Sequence, residues 1–296
     1  MITTLFKMSR PVNIAIAMVT LCVGYFLMGF AFWKGVGIGV PNLILELLGF
    51  AFAIGFANIQ NDILDLESDR MNRPERPLVR GTISLPQAKA ASIAGAILTL
   101  LCGLIDSLLL LGKSSPDTAV IPALFFVALT LLLVAYNSKL KHIPLLKNMT
   151  VAFLCATPLI LNWLHSPVLN LDSLGKLYPA MLFAFLLTTA REIYKDLEDE
   201  TGDLKAGIMT FPLIAGSTTA RRFAGAIILF AWILLPLPVM QGYYPQLFLI
   251  LTAITMTPTL GITLLMAGKK NYRKAQSTTK IAMFLGLISL VISAAV

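Results

Sequence analysis

The sequence predicts an all-α, polytopic membrane protein, and three observations carry that prediction. Hydrophobic residues make up 57% of the chain and charged residues only 13%, against about 25% charged in a soluble domain. Mean hydropathy is +0.82. Apolar blocks near twenty residues long, the length that crosses a bilayer as a helix, recur along all 296 residues. No soluble interior would hide them, so a soluble enzyme, a disordered regulator and a secreted disulfide scaffold are excluded. Backbone groups in lipid must pair internally, and a closed barrel would need short alternating strands. The blocks are therefore read as helices.

Nine spans are expected, near 12–33, 42–63, 86–112, 118–137, 147–164, 177–195, 219–240, 245–267 and 277–295. The first is too long for a signal-peptide core and lacks a small-residue cleavage site, so it counts as a span. The second and sixth run into acidic stretches. The rest alternate with short charged loops that leave no room for a soluble domain or a linker, so residues 1–296 are read as one membrane domain around a central apolar chamber. Cys22, Cys102 and Cys155 each lie inside an apolar block and read as small buried hydrophobes.

The charges orient these spans. Of the 23 Lys and Arg, only Lys34, Lys113 and Lys176 fall on one face. The rich face is cytoplasmic by the positive-inside rule, which puts the N-terminus inside the cell membrane and Val296 on the far side. The net charge of +8 is thus largely topology, reinforced by anionic lipid or an anionic substrate. Nucleic acid is not needed to explain it.

The acids are less evenly spread. Eleven of the 15 fall in two cytoplasmic stretches, one after span two and one after span six, where the positive-inside rule does not ask for them. At about 100° per residue from Asn61, Asp65 falls near 40°, Asn58 near 60°, Asp69 near 80° and Asp62 near 100° on a helix continued to about Asp69. Pro74 and Pro77 then break it into a basic loop. Measured from Asp196 in the same way, Asp203 falls at about −20°, Asp199 at about −60° and Glu200 at about +40°. Gly202 loosens the helix end there. Each stretch is one carboxylate face. Clustered carboxylates repel unless cations sit between them, and oxygen-only ligands suit a hard ion such as Mg²⁺ that bridges to phosphate. The neighbouring Arg and Lys suit phosphate too. The competing reading is a cation transporter lined by acids. Glu46 and Asp106 are the only acids deeper in the spans, and as sequence they form no chain.

These residues resemble a family. Asn61-Asp62-x-x-Asp65-x-x-x-Asp69 is similar to the first aspartate motif of the UbiA superfamily of intramembrane prenyltransferases. Asp196-x-x-Asp199-x-x-x-Asp203, far along the chain and in the right order, is similar to its second. Asn72-Arg73-Pro74-x-Arg76-Pro77-Leu78 and Arg10-Pro11-Val12-Asn13 fit as well. The resemblance covers essentially the whole chain. It implies that Asn61, Asp65 and Asp69 bind one Mg²⁺ and Asp196 with Asp203 a second, with Asp62 and Asp199 in support. The two ions would hold the diphosphate of an isoprenoid donor. Arg10, Lys195, Arg73 and Arg76 are phosphate-contact candidates, and Asn13 and Asn58 accompany them. Tyr136 and Tyr194 are nearest to stabilise an allylic cation. In the Tyr/Lys segment between spans four and five the family spaces Tyr and Lys by four. Here Lys139 follows Tyr136 by three and Lys141 by five, so both are carried. The family often has Gly before the equivalent of Asn148, where this chain has Lys147.

Within the superfamily, Asn72 to Pro77 and Arg191 to Asp199 look most like the digeranylgeranylglyceryl phosphate synthase branch. That branch implies a geranylgeranyl diphosphate donor and a lipophilic geranylgeranylglyceryl phosphate acceptor. The alternative within the class is an aromatic acceptor of quinone or chlorophyll synthesis. Tail-length selectivity and oligomeric state are not legible in the spacing.

Overall fold

A computed structural model describes residues 2–29, 38–165, 171–205 and 207–295, with the side chains of 71, 72 and 171–173 outside the description. The end of the first expected span and Lys34 lie outside the described residues. Most of the described residues are helical, with one isolated bridge between Leu111 and Ser114 and no strand among them. Six helices among them are long and apolar enough to cross a membrane: 40–64, 85–110, 116–138, 217–240, 246–268 and 272–295. A seventh is Ile2–Met8 with Pro11–Leu27, taken as one span bent by 64°. The nine-span expectation is met to that extent. Helices also cover the two other expected positions, 147–164 and 177–195, but polar residues such as Asn148, Asn162, Thr188, Thr189 and Arg191 shorten their apolar runs.

The contacts divide the chain into two compact units, Met1–Lys139 with Leu161–Leu169, and Leu140–Ile160 with Asn170–Val296. The first holds α1 (Ile2–Met8), α2 (Pro11–Leu27), α3 (Val40–Leu64), α4 (Leu66–Asn72), α5 (Leu85–Leu110), α6 (Pro116–Ala119) and α7 (Ile121–Ser138). Here α3 packs along α5 and α7. Gly49 permits the approach to α7, since a Cβ there would lie 2.4 Å from the ring of Phe126. A small apolar cluster of Met8, Ile59, Leu78, Ile83 and Ala88 fastens the loop after α4 beneath α1 and α3. The cap of α5 is reciprocal: Ser84 N–H donates to Gln87 Oε1 at 3.0 Å, and Gln87 N–H to Ser84 Oγ.

Buried polar groups tie the other ends of these helices. The Tyr25 hydroxyl lies 2.6 Å from Glu46 Oε2 and 2.7 Å from His165 Nδ1, and Asn42 Nδ2 donates to Asp106 Oδ1 at 2.7 Å. Glu46 thus has partners that no acid-counting along the sequence shows.

The second unit begins with a short turn, Leu140–His142, and α8 (Leu146–Leu164), whose last residues belong to the first unit. It continues with α9 (Leu171–Lys205), α10 (Phe211–Ala215), α11 (Ser217–Ile233), α12 (Leu237–Met240), α13 (Gln246–Ile254), α14 (Met256–Gly268) and α15 (Tyr272–Ala295). Leu187, Ala190, Tyr194 and Leu197 of α9 form a buried stripe against Ala220, Ala224 and Ile228 of α11, Leu260 of α14 and Ala275 and Ala282 of α15. Alanines at these contacts let helix backbones approach closely. Gly202 does not end α9, which continues to Lys205.

Candidate active site

The first motif sits where α3 gives way to α4. Asp65 is the joint, at φ −90° and ψ 6°. The ladder carries across it, because Asp65 N–H donates to the Asn61 carbonyl at 2.9 Å and Asp69 N–H to the Asp65 carbonyl at 2.8 Å. The expected helix to Asp69 is therefore present, interrupted at Asp65 and extended to Asn72. Asn61 Nδ2 donates to Asp65 Oδ2 at 2.9 Å.

Arg76 returns from the loop to this face. Its Nη1 donates to Asp62 Oδ1 at 3.0 Å and also to Asp69 Oδ2. Burial pushes the Asp69 carboxyl above its usual range, against the pull of Arg76. Arg10 approaches Asp62 from the α1–α2 bend, with Nη2 at 3.5 Å. Arg10 is a left-handed residue, φ 56°, a strained backbone for a side-chain-bearing residue, and Pro11 opens α2 directly after it. Asn58 Nδ2 donates to the Ser9 carbonyl at 3.1 Å, which ties α3 to that bend. Asn13 and Arg73 are exposed, Arg73 within electrostatic reach of Asp69. Tyr136 is half-buried on α7 beside Asn137, whose Nδ2 donates to the Ala57 carbonyl at 2.8 Å and to Gln60 Oε1 at 3.0 Å. Lys139 is exposed at the end of α7.

The second motif lies on α9, roughly opposite the buried stripe. Asp196 is buried while Asp199 and Asp203 are half-buried. Lys147 Nζ is 2.8 Å from Asp196 Oδ1, and Asn148 Nδ2 donates to Asp196 Oδ2 at 2.9 Å. Burial raises the Asp203 carboxyl, with Lys147 pulling it down and Asp196 pushing it up. Lys195 is exposed beside this face, and Lys141 is half-buried in the turn before α8. Tyr194 departs from the expectation. It is two residues from Asp196, which turns it to the far side of α9, and it is fully buried in the apolar core.

A family model described as the UbiA prenyltransferase family matches residues 18–288. The chain belongs to that family. It is 30% identical over 96% of its length to the digeranylgeranylglyceryl phosphate synthase of Methanobrevibacter smithii, covering 95% of that protein, and 32% identical over 87% to the enzyme of the same name from Metallosphaera sedula, covering 84%. Among solved structures, one described as giving insights into digeranylgeranylglyceryl phosphate synthase in membranes matches with a TM-score of 0.73 and 26% identity over 99% of this chain and 98% of that one. A UbiA homolog from Archaeoglobus fulgidus, bound to DMAPP and Mg²⁺, shares the fold with a TM-score of 0.68 and 19% identity, over 99% of each chain.

The donor set of this UbiA chain suits a hard divalent ion. Each motif offers carboxylate and amide oxygens, with no His or Cys among them. Beside Asp196, Asn148 Oδ1 is buried without a hydrogen-bond partner among the described residues, an oxygen placed to receive a cation or its water. Among the described residues no three acidic, His or Cys side chains already converge as a metal cage. Arg76 bonds the carboxylates of Asp62 and Asp69, and Lys147 that of Asp196. Lys147 and Asn148 lie outside the site that the sequence predicts. The only sequence signal for them is the Lys standing where the family often has Gly.

Proposed function

We propose that this UbiA-family prenyltransferase transfers a geranylgeranyl group from its diphosphate to geranylgeranylglyceryl phosphate, forming an ether and releasing diphosphate. The observation that carries this reading is the pair of oxygen-donor motifs, each met by a basic side chain at hydrogen-bond distance. The identity to named digeranylgeranylglyceryl phosphate synthases along nearly the whole chain supports the acceptor. We read the membrane topology as nine spans around an apolar chamber, acting as one domain with the N-terminus and both motifs cytoplasmic.

Asn61, Asp65 and Asp69 would hold one Mg²⁺ and Asp196 with Asp203 another, Asp62 and Asp199 supporting them. Bound Mg²⁺ neutralises diphosphate charge and makes it a better leaving group. Arg10, Arg76, Lys195 and the pair Lys139 and Lys141 bring further positive charge to the phosphates, with Arg73 at the rim. Asn13 flanks Arg10 on α2. The allylic C1–O bond breaks toward diphosphate, and the face of Tyr136 is the aromatic surface offered to the developing cation. The apolar spans hold the isoprenoid tail and exclude water from C1. The acceptor hydroxyl then bonds to C1 and gives its proton to the departing diphosphate. Tyr194 is left out of this site because it belongs to the core.

The test is an assay in detergent with Mg²⁺ and radiolabelled geranylgeranyl diphosphate, offering geranylgeranylglyceryl phosphate beside 4-hydroxybenzoate, a naphthoate and chlorophyllide. An ether-lipid product is expected. An aromatic product would overturn the acceptor while keeping the donor chemistry, and no prenyl transfer in detergent together with cation flux in proteoliposomes would overturn the class.

A further inference from the structure

Lys147 is a lysine out of place. A lysine near a membrane interface ordinarily extends its stem along apolar surface and leaves its ammonium in water. Here the side chain is only 17% exposed, and its Nζ lies 2.8 Å from an oxygen of Asp196, itself 7% exposed. It is also within electrostatic reach of Asp203. The backbone holds it there. Leu145, two residues earlier, is left-handed at φ 63° and packs on the core of the second unit. That strained turn starts α8 with Lys147 and Asn148 both directed at one carboxylate, one at each oxygen.

Asp196 therefore has both oxygens engaged, and the buried Asn148 Oδ1 next to it has no partner among the described residues. A divalent ion that took Asp196 would meet a positive charge within bonding distance of its ligand. The two cations cannot share that oxygen at full strength. A phosphate group arriving with the ion would offer the ammonium a new partner, since lysine binds phosphate as a movable point charge.

We propose that Lys147 is the resident counter-cation of the second carboxylate motif, that it competes with a divalent ion for Asp196, and that it passes to the donor's diphosphate as the ion binds. This makes ion binding at the second motif weak until diphosphate is present. The inference rests on the metal–diphosphate reading above and adds a residue and an order of events to it.

The test measures Mn²⁺ bound to the full-length protein in detergent, by the free-ion electron paramagnetic resonance signal, with and without inorganic diphosphate. Lys147→Gln removes the charge and keeps a hydrogen-bond donor, and Lys147→Arg keeps the charge. The Gln variant is expected to gain a Mn²⁺ site at least about ten-fold tighter than wild type shows. The Arg variant should follow wild type, and adding Asp196→Asn to Lys147→Gln should erase the gain. Diphosphate should narrow the difference between wild type and the Gln variant. Identical Mn²⁺ curves for wild type and Lys147→Gln, with an Asp65-dependent ion still bound, would overturn the inference alone. No Mn²⁺ on any variant, with or without diphosphate, would overturn the metal reading and the inference together.

Discussion

Arg76 reaches back fourteen positions to Asp62, its Nη1 3.0 Å from Oδ1, and the same nitrogen also bonds Asp69. Both carboxylates are buried, and Arg76 itself is 15% exposed. Removing the guanidinium leaves two like charges close together in a partly dry place. Arg76→Ala should destabilise the protein by about 2–4 kcal/mol and raise the donor KM. Arg76→Lys should recover only part, because it keeps the charge but places a shorter, more flexible side chain where Nη1 bonds both carboxylates. Thermal unfolding in detergent checks this, and added Mg²⁺ should restore more stability to the Ala variant than to wild type. Equal Mg²⁺ responses would mean that Arg76 does not stand in for an ion.

The carboxylate faces were legible because helical periodicity is local. Asn61, Asp65 and Asp69 need only about 100° per residue to share a face, and Asp196, Asp199 and Asp203 likewise. What brings a cation to each face was not legible. Arg76 folds back through a loop fastened by Leu78 and Ile83, and Lys147 arrives from another helix by way of a left-handed leucine. Neither path leaves a periodic trace. Tyr194 shows the opposite failure: adjacency to Asp196 in sequence suggested the site, although two residues along a helix means the far side. Glu46 looked isolated for the same reason, since its partners Tyr25 and His165 both lie far from it along the chain.

Asp65 and Asp196 stand for the two motifs. Asp65→Asn or Asp196→Asn should abolish Mg²⁺-dependent turnover while leaving expression and membrane insertion unchanged, since Asn preserves volume and removes the charge an ion requires. Prenyl transfer and membrane fractionation measured together check this. Loss of insertion would make these residues structural.

Tyr25 serves stability. Its hydroxyl is fully buried and bonds both Glu46 and His165. Tyr25→Phe leaves those groups short of a partner and should cost about 1–3 kcal/mol, with turnover per folded molecule unchanged. A fall in turnover at unchanged thermal stability would instead place this network in the reaction.

Tyr194 makes the converse case. Its hydroxyl is buried with no hydrogen-bond partner among the described residues, so Tyr194→Phe removes an unsatisfied polar group from the core. Stability should hold or rise slightly, and the donor KM should stay at the wild-type value. Kinetics with geranylgeranyl diphosphate check it, and a several-fold rise in KM would return Tyr194 to the site. Tyr136→Phe should likewise spare KM, since the ring rather than the hydroxyl faces the cation in the proposed mechanism, whereas Tyr136→Ala should lower kcat.

Gly202 lies inside α9, one residue before Asp203, and nothing stands within 4 Å of where a Cβ would be. Glycine in a helix interior costs roughly 0.5–1 kcal/mol relative to alanine. Gly202→Ala should therefore stabilise the end of α9 by about that amount, seen as slower hydrogen exchange from Thr201 to Lys205. Turnover separates two roles for the glycine. If Asp203 works from a regular helix, as the structure shows it, kcat is unchanged and the glycine is merely tolerated. If kcat falls while the helix end is protected, Asp203 must leave helical geometry during the cycle, and the loosened end is part of how the second motif closes on its ligand.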